Sequence, residues 1–156
     1  MQTIRRAAAK DIPEIHELLN QVNLIHHLGR PDLFKLAPKY SDEDLETLLE
    51  DDRRPVFVAV DDADRALGYV FCQFEQYLND QLRTDVKTLY IDDLCVREDL
   101  RGRHIGRALF DFAAAFAREN GCHNLTLNVW TLNPGARKFY EQCGMRPQKI
   151  GMETIL

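Results

Sequence analysis

The sequence feature that most constrains the fold is a basic, glycine-containing turn at residues 101–107, which reads RGRHIGR. An apolar, β-rich run at residues 88–96 precedes this turn. After the turn, apolar side chains recur at helical spacing, at Ile105, Leu109, Phe112 and Phe116. A tight turn in this position leaves backbone N–H groups free at a helix N-terminus, where the helix dipole adds positive potential. The pattern therefore predicts an anion site, with arginine side chains as further donors to phosphate.

The rest of the chain alternates β-rich runs with helical patterns. Further strands are predicted at residues 3–7, 56–60, 66–72, 125–129 and 150–156. Further helices are predicted to begin after Asp11 as N-cap and to run from Ser41, also an N-cap, to Glu50. The polar residues 61–65 join two of the strands in a hairpin. This order predicts an α/β (α+β) fold in which a mixed central sheet is flanked by helices.

Length and composition limit the classes of protein to which the chain can belong. It has 156 residues, of which 45% are hydrophobic, and this predicts one domain over residues 1–156. No apolar run approaches the roughly 18 residues of a membrane span, and residues 1–6 lack the apolar core of a secretory signal. A cytoplasmic protein without membrane contact is therefore expected. The net charge of −5 argues against nonspecific binding to nucleic acid.

The four cysteines are scattered through the chain without C-x-x-C spacing, at Cys72, Cys95, Cys122 and Cys143. Each stands among apolar or helical neighbours, which is typical of reduced, mostly buried thiols. The adjacent histidines His26 and His27 are not accompanied by a second cluster at ligand spacing, so no metal site is predicted.

A second motif lies at residues 133–145, which read NPGARKFYEQCGM. Asn133 suits the cap of a short helix, Pro134 its first position and Gly144 its end. Together the two segments resemble the GNAT superfamily of acyl-CoA-dependent N-acetyltransferases, whose loop follows (Q/R)-x-x-G-x-(G/A) and whose later helix follows N-x-x-A-x-x-F-Y-x-x-x-G. The matching residues are Arg101, Gly106, Asn133, Ala136, Phe139, Tyr140 and Gly144.

One position of the turn departs from the family pattern, because His104 stands where the pattern has its middle glycine. If His104 keeps a negative φ, the backbone donors are retained and the imidazole can lie beside a phosphate. If the turn requires a positive φ, the histidine is strained.

The resemblance implies a mostly antiparallel sheet that splays in its middle and binds acetyl-CoA there, with CoA as product. The turn is expected to hold the pyrophosphate. The strand before it is expected to pair with pantetheine and to direct an N–H at the thioester oxygen. Asn133 is expected to combine capping with a contact to CoA. The residues implied for the coenzyme are Leu94, Cys95, Val96, Arg101, Gly102, Arg103, His104, Ile105, Gly106, Arg107, Asn133, Ala136 and Tyr140.

Direct transfer of acetyl to a primary amine in a ternary complex requires a general acid and a way to remove the ammonium proton. Tyr140 matches the family's tyrosine near the CoA sulfur and can give a proton to the departing thiolate. The resemblance favours Asp92 as the base with Asp93 as the alternative, and strand alternation predicts that only one of them faces the acceptor. The pair could instead attract a cation or cap a bulge. An acyl intermediate on Cys95 is disfavoured, because no histidine is placed by sequence to activate it.

The acceptor stays open between a small cationic amine, such as a polyamine, and a protein amine, and the negative net charge favours a cation. Residues expected on the acceptor side are His26, His27, Asp92 and Asn128, with Tyr77 and Trp130 as further cleft residues. Homodimers are common in the family, so the resemblance favours a homodimer and leaves a monomer as the alternative. The alternative to an enzyme is a noncatalytic acyl-CoA-binding sensor or regulatory module.

Overall fold

The computed structural model describes residues 2–156. Its strands are β1 (Thr3–Arg6), β2 (Val56–Val60), β3 (Ala66–Gln76), β4 (Lys87–Val96) and β5 (Asn124–Leu127). Its α-helices are α1 (Ile12–Gly29), α2 (Asp42–Leu49), α3 (Ile105–Glu119) and α4 (Pro134–Gln142). The strands form one sheet in the order β1-β2-β3-β4-β5, in which only β4 and β5 are parallel. The expected mixed, mostly antiparallel sheet with flanking helices is confirmed.

Helices cover both faces of the sheet, because its central strands carry apolar side chains on both sides. The face covered by α1 and α2, called the α1 face, contains the buried residues Ile15, Leu19, Leu45, Val58 and Tyr69. The face covered by α3, called the α3 face, contains Phe57, Val70, Leu89, Ile91, Leu109 and Ala113. Among residues 2–156, no helix combines the length and the hydropathy needed to cross a membrane.

The predicted N-caps of α1 and α2 have different outcomes. Ser41 caps α2, since its hydroxyl accepts the Asp44 N–H at 3.0 Å and the Asp44 carboxylate accepts the Ser41 N–H at 3.1 Å. Asp11 precedes α1 but makes no capping hydrogen bond to it. Its carboxylate instead accepts the Ala8 N–H at 2.8 Å and two guanidinium N–H groups of Arg5 at 2.8 and 2.9 Å. Asp11 therefore ties β1 to the entry of α1.

The end of β4 departs from a regular sheet on both of its sides. On the β3 side, a bulge at Asp92 leaves this residue without a partner between the paired residues Ile91 and Asp93. On the other side, β5 pairs with β4 only from Thr88 to Ile91. Residues 92–96 consequently keep an unpaired edge beside the end of β5. This is the splay that the resemblance implies.

Most predicted elements agree with the structure within a few residues, but the final strand does not form. Residues 150–156 are neither strand nor helix, and all of them are exposed. The prediction of a strand at residues 150–156 is therefore wrong. A strand requires a hydrogen-bonded neighbour, and in the described part of the chain residues 150–156 pair with none of the five strands.

Candidate active site

The turn before α3 is built on two residues with positive φ. Gly102 has a φ of 84° and His104 a φ of 62°, and α3 begins directly after His104. No side chain caps α3, and the Ala108 N–H donates to the His104 carbonyl at 3.0 Å. Residues 105–107 form the first turn of the helix, so their N–H groups have no carbonyl acceptor within the helix. The turn therefore presents backbone donors to an anion, at the positive end of the helix dipole.

Of the two conformations that the sequence left open for His104, the structure has the strained one, in which φ is positive. Its φ and ψ of 62° and 16° lie in the left-handed region, which an L side chain adopts at a cost of roughly 1–2 kcal/mol. The glycine of the family pattern avoids this cost. The turn keeps the required backbone shape with a histidine, so the backbone donors are retained at the expense of stability.

Replacing His104 by glycine is expected to raise the free energy of unfolding by about 0.5–1 kcal/mol, since relief of strain exceeds the extra entropy of the unfolded glycine. CoA affinity should change by less than about threefold, because the turn already has a shape that glycine favours. Urea denaturation and calorimetry measure the two quantities. Arg103→Gly, at a position with negative φ, is the matched control and should destabilise the protein. A gain in affinity of about tenfold would instead show that the imidazole obstructs the anion.

The three arginines of the turn have different surroundings. The Arg107 guanidinium pairs with Asp111 at 3.0 Å, so it lies along α3. Arg103 lines a surface hollow together with Asp61 of the β2–β3 hairpin. Arg101 lies close enough to Cys95 for its charge to act on the thiol. Arg101 is thus the arginine placed beside the unpaired segment of β4.

Gly106 lets three elements approach one another at the start of α3. A Cβ at this position would lie 3.4 Å from Phe139 Cζ on α4 and 3.6 Å from Val96 Cγ2 on β4. The first turn of α3, the end of β4 and the middle of α4 therefore meet around a residue that has no side chain.

Gln21 on α1 is a site residue that the sequence analysis missed. Its amide donates to the Val96 carbonyl at 3.0 Å and accepts the Glu98 N–H at 3.1 Å. These bonds hold the chain where it leaves β4 and enters the turn. A single glutamine in an amphipathic helix carries no sequence signal for this role, because its partners lie far away in the chain.

The bulge places Asp92 and Asp93 on the same side of the sheet. Ile91 and Leu94, which flank them, both pack on the α3 face, so both carboxylates lie towards the α1 face. Lys39, from the segment between α1 and α2, interacts electrostatically with both. The prediction that alternation would point them to opposite faces is wrong, because the bulge inserts an extra residue.

The two carboxylates differ in surroundings. Asp92 Oδ2 pairs with Lys39 Nζ at 3.0 Å at the surface of the cleft. Asp93 Oδ2 lies deeper and accepts a hydrogen bond from the Tyr69 hydroxyl at 2.5 Å. Burial raises the pKa of Asp93 to about 6, although the Tyr69 hydroxyl and the Lys39 charge act in the opposite direction. The site therefore holds one paired carboxylate and one that titrates near neutral pH.

Tyr140 lies on α4 beside the end of β4. Its ring packs 5.1 Å from the Phe139 ring and 6.3 Å from the Phe110 ring, measured between centroids. Burial raises the pKa of Tyr140 well above its usual value of 10, and the negative charge of Asp93 adds to this effect. The phenol is consequently protonated throughout the physiological pH range.

An aromatic group lies at the end of α1. The His26 ring is 4.9 Å from the Phe34 ring and 6.4 Å from the Trp130 ring, between centroids. Burial and then the charge of Lys39 lower the pKa of His26, so its imidazole is neutral at pH 7. The loop after β5 is thereby brought against α1, near the pair formed by Lys39 and Asp92.

Asn128 also lies near this pair. Its amide donates to the Tyr90 hydroxyl at 3.1 Å, and Tyr90 experiences the charges of Asp92 and Lys39. Together with His26 and Trp130, Asn128 therefore surrounds the outer end of the splay.

His27 and Tyr77, which were expected on the acceptor side, interact with other parts of the protein. His27 Nδ1 lies 2.8 Å from the Phe34 carbonyl, so this ring nitrogen is used within the protein. Tyr77 follows β3 and stacks on the Arg83 guanidinium at 4.1 Å. Because β3 ends opposite Lys87, Tyr77 lies at the other end of β4 from the splay.

Asn133 caps α4, as its side-chain oxygen accepts the Ala136 N–H at 3.2 Å. Pro134 occupies the start of the helix, and Gly144 follows its end with a φ of 95°. The amide nitrogen of Asn133 is not used in the cap.

Residues 22–145 match the family model of the acetyltransferase (GNAT) family. The chain belongs to this family. The GNAT family implies acetyl-CoA, and two observed features suit it: the uncapped N-terminus of α3 offers N–H groups to a pyrophosphate, and the unpaired edge of residues 92–96 offers backbone groups to pantetheine.

Several known proteins are similar to this GNAT chain. A crystal structure of a mutant BH1408 protein from Bacillus halodurans has a TM-score of 0.94 and 31% identity over 99% of both chains. Glucosamine-6-phosphate N-acetyltransferase from Arabidopsis thaliana has a TM-score of 0.74 and 22% identity, over 99% of this chain and 98% of that one. An uncharacterised N-acetyltransferase of Methanocaldococcus jannaschii is 26% identical over 148 residues, which are 95% of this chain and 62% of that protein. The chain thus spans less than two thirds of this curated relative.

The four cysteines of this GNAT chain are free thiols, in agreement with the sequence. Cys95 is buried, and its thiol donates to the Leu18 carbonyl with a separation of 3.6 Å. Burial raises the pKa of Cys95 to about 12, so its nucleophilic thiolate is scarce at neutral pH. Within residues 2–156, no group of three or more histidine, cysteine, aspartate or glutamate side chains is arranged to hold a metal ion.

Proposed function

We propose that residues 1–156 form one N-acetyltransferase domain that moves acetyl from acetyl-CoA directly to a primary amine in a ternary complex. The observation that carries this proposal is the meeting of three features at the splay between β4 and β5: the uncapped N-terminus of α3, the carboxylate of Asp93 and the hydroxyl of Tyr140. Acetyl-CoA supplies the acetyl group as an activated thioester. The residues of the chain bind, orient and move protons.

Binding in this proposal rests on backbone groups. The free N–H groups at the start of α3, those of residues 105–107, receive the pyrophosphate, and the arginine side chains of the turn at residues 101–107 add positive charge. A backbone N–H of residues 94–96 donates to the thioester oxygen. One oxyanion donor of this kind contributes about 3 kcal/mol to transition-state stabilisation.

Asp93 is the general base of the proposal, in preference to Asp92. A carboxylate with a pKa of about 6 is a stronger base than an ordinary aspartate, whose pKa is about 3.9. It takes a proton from the acceptor ammonium, directly or through a water molecule, and passes it to solvent. Asp92 is already paired with Lys39, which suits a role in attracting the cation.

The rate is expected to depend on the protonation of Asp93. Because only the carboxylate form can accept a proton, kcat/KM should rise with pH to a half-maximum near 6 and fall about tenfold per unit below it. Tyr69→Phe removes a hydrogen bond that lowers the pKa of Asp93, so the midpoint should move to higher pH. Initial rates of thiol release between about pH 5 and 9 measure the profile. The same midpoint in Asp93→Asn would show that another group is responsible.

Tyr140 is the general acid. Its raised pKa keeps the phenol protonated, and the proton passes to the sulfur as the carbon–sulfur bond breaks and CoA leaves as a thiol. The phenolate then regains a proton from solvent. Transfer is direct in this proposal, since the raised pKa of Cys95 disfavours an acyl-cysteine intermediate.

The acceptor of the proposal is a small cationic amine, such as a polyamine, or a protein amine. With Asp93 ionised, the two carboxylates and the Lys39 ammonium leave one uncompensated negative charge at the cleft. This balance supports an acceptor that brings one ammonium group to this point. Glucosamine 6-phosphate, the acceptor named for the Arabidopsis relative, also carries one such amine.

Thiol release from acetyl-CoA, measured over a panel of spermidine, a lysine peptide, a peptide with a free N-terminus and glucosamine 6-phosphate, tests the proposal. Amine-dependent release together with acetylated amine in the mass spectrum is the expected result. The alternative of a noncatalytic sensor predicts that calorimetry detects CoA binding while no amine of the panel is acetylated. Absence of CoA binding by folded protein would contradict both functions.

A further inference from the structure

Lys39 lies in the cleft beside the carboxylates that receive the acceptor amine in the proposed function. Its Nζ pairs with Asp92 Oδ2 at 3.0 Å, and its charge also acts on Asp93. The side chains of Lys39 and Asp92 are each 37% exposed, so a small molecule in the cleft can reach both. An ammonium group of the chain itself therefore stands next to the two carboxylates that attract the ammonium group of an acceptor.

Contacts on both sides of Lys39 in the chain hold it at this place. The side-chain amide of Asn23, on α1, donates to the Ala37 carbonyl at 2.9 Å. The Tyr40 ring stacks on the Phe71 ring, with 6.3 Å between centroids and 4° between the ring planes. Tyr40 is also partly buried against the core of the α1 face. The chain is thus anchored two residues before Lys39 and one residue after it, which keeps the ammonium group at the cleft.

The groups around Asp93 determine how much positive charge an acceptor can add. Asp92, its neighbour on β4, contributes a negative charge, and Lys39, from the segment between α1 and α2, contributes a positive one. Tyr69 on β3 and Tyr140 on α4 also act on Asp93 or are acted on by it, and burial keeps both phenols neutral by raising their pKa values. With Asp93 ionised, these groups sum to one negative charge with Lys39 and to two without it.

We propose that Lys39 is a specificity-determining residue that selects acceptors with a single positive charge near the reacting amine over diamines. This inference rests on the proposed function, because it concerns the same cleft. The ammonium group of a monoamine binds at Asp93 while Asp92 stays paired with Lys39. A second ammonium group a few carbon atoms away meets the Lys39 charge instead of a free carboxylate, and repulsion excludes it. Lys39 thereby narrows the small cationic amines to monoamines.

Pentylamine and cadaverine, a monoamine and a diamine with the same carbon chain, test the proposal in the intact protein. The measured quantity is the ratio of kcat/KM for cadaverine to kcat/KM for pentylamine, taken at about pH 8 so that Asp93 is ionised. Lys39→Gln should raise this ratio by roughly tenfold, because it frees the Asp92 carboxylate for the second ammonium group. Lys39→Arg keeps the charge and should keep the ratio of the wild type.

The pH dependence of kcat/KM gives a readout that a merely structural role of Lys39 would not move. The Tyr69 hydroxyl and the Lys39 charge lower the pKa of Asp93, whereas burial and the charge of Asp92 raise it. Lys39→Gln should therefore move the half-maximum of kcat/KM for pentylamine to higher pH, since only ionised Asp93 accepts the proton. Lys39→Arg should leave it near 6. An unmoved half-maximum in Lys39→Gln would contradict the proposal.

Lys35→Gln is the matched control, because Lys35 is an exposed lysine of the same segment and its replacement removes the same charge from the protein. It should change the ratio of the two amines by less than about threefold. An unchanged ratio in Lys39→Gln would overturn the proposal. So would a rise of the same size in Lys39→Arg or Lys35→Gln. Circular dichroism checks that each variant is folded.

Binding of the two amines to CoA-saturated protein, measured by calorimetry, separates this inference from the proposed function. If Lys39→Gln raises the relative affinity for cadaverine while no acetylated amine forms, selection by Lys39 is confirmed and the enzymatic function is wrong. If acetylation proceeds and neither ratio changes in Lys39→Gln, only the role of Lys39 is wrong. Absence of both binding and acetylation with either amine would overturn the inference.

Discussion

Replacing Tyr140 by phenylalanine is expected to lower kcat by about 10²–10⁴-fold, which is the usual contribution of a positioned general acid. The substitution removes only the hydroxyl, so the ring keeps its contacts with Phe139 and Phe110. CoA affinity and stability should therefore change little. Single-turnover thiol release, together with calorimetry of CoA, measures the two effects separately.

Tyr77→Phe is the matched control, because this tyrosine is exposed and lies at the far end of β4 from the splay. It should have the kcat of the wild type. If Tyr140→Phe retains kcat within about threefold, the departing thiolate takes its proton from another source and the role proposed for the phenol is wrong.

Replacing Asp11 by alanine is expected to lower the free energy of unfolding by about 3 kcal/mol, because it removes one partner of a mostly buried ion pair. Asp11 is 2% exposed, and its carboxylate accepts two guanidinium N–H groups from Arg5 and the backbone N–H of Ala8. All three donors lose this acceptor, and the Arg5 guanidinium keeps its contacts with the Asp64 carboxylate and the Arg6 carbonyl. Urea denaturation measures the change, and Tm should fall by roughly 6–12 °C.

An exposed ion pair on α4 provides the comparison for Asp11. Arg137 and Glu141 pair at 2.7 Å with one helical turn between them, and Glu141→Ala should lower the free energy of unfolding by only about 0.5 kcal/mol. Equal losses in the two variants would show that burial of Asp11 adds nothing to its ion pair. Because Asp11 lies away from the splay, its variant should keep the wild-type kcat at temperatures at which it is folded.

Features that depend on neighbours in the sequence could be predicted well. The capping box of Ser41 and Asp44 is one example, since the two residues that exchange hydrogen bonds stand three positions apart. The cap of α4 by Asn133 is another. Asp11 shows the limit of such predictions. It stands where an N-cap is expected, but its carboxylate binds the Arg5 guanidinium on β1 instead of an N–H group of α1.

The candidate site depends more strongly on distant parts of the chain. Regular alternation along β4 led to the wrong expectation for Asp92 and Asp93, because the bulge arises from pairing with β3 and leaves no local signal. Lys39 and Gln21 contact the end of β4 from elements that precede it by tens of residues. Their importance could not be predicted without knowing which elements pack together.

By itself, the sequence determined the order of helices and strands, the basic turn before α3 and the presence of Tyr140 in a helix after β5. These features follow from hydrogen bonds, backbone preferences and apolar periodicity over a few residues. Only the tertiary structure decided that Asp93 is the carboxylate with a raised pKa, that His104 is strained and that residues 150–156 form no strand. Desolvation, charge pairing and strand pairing depend on segments that folding brings together from distant positions, so no local pattern records them.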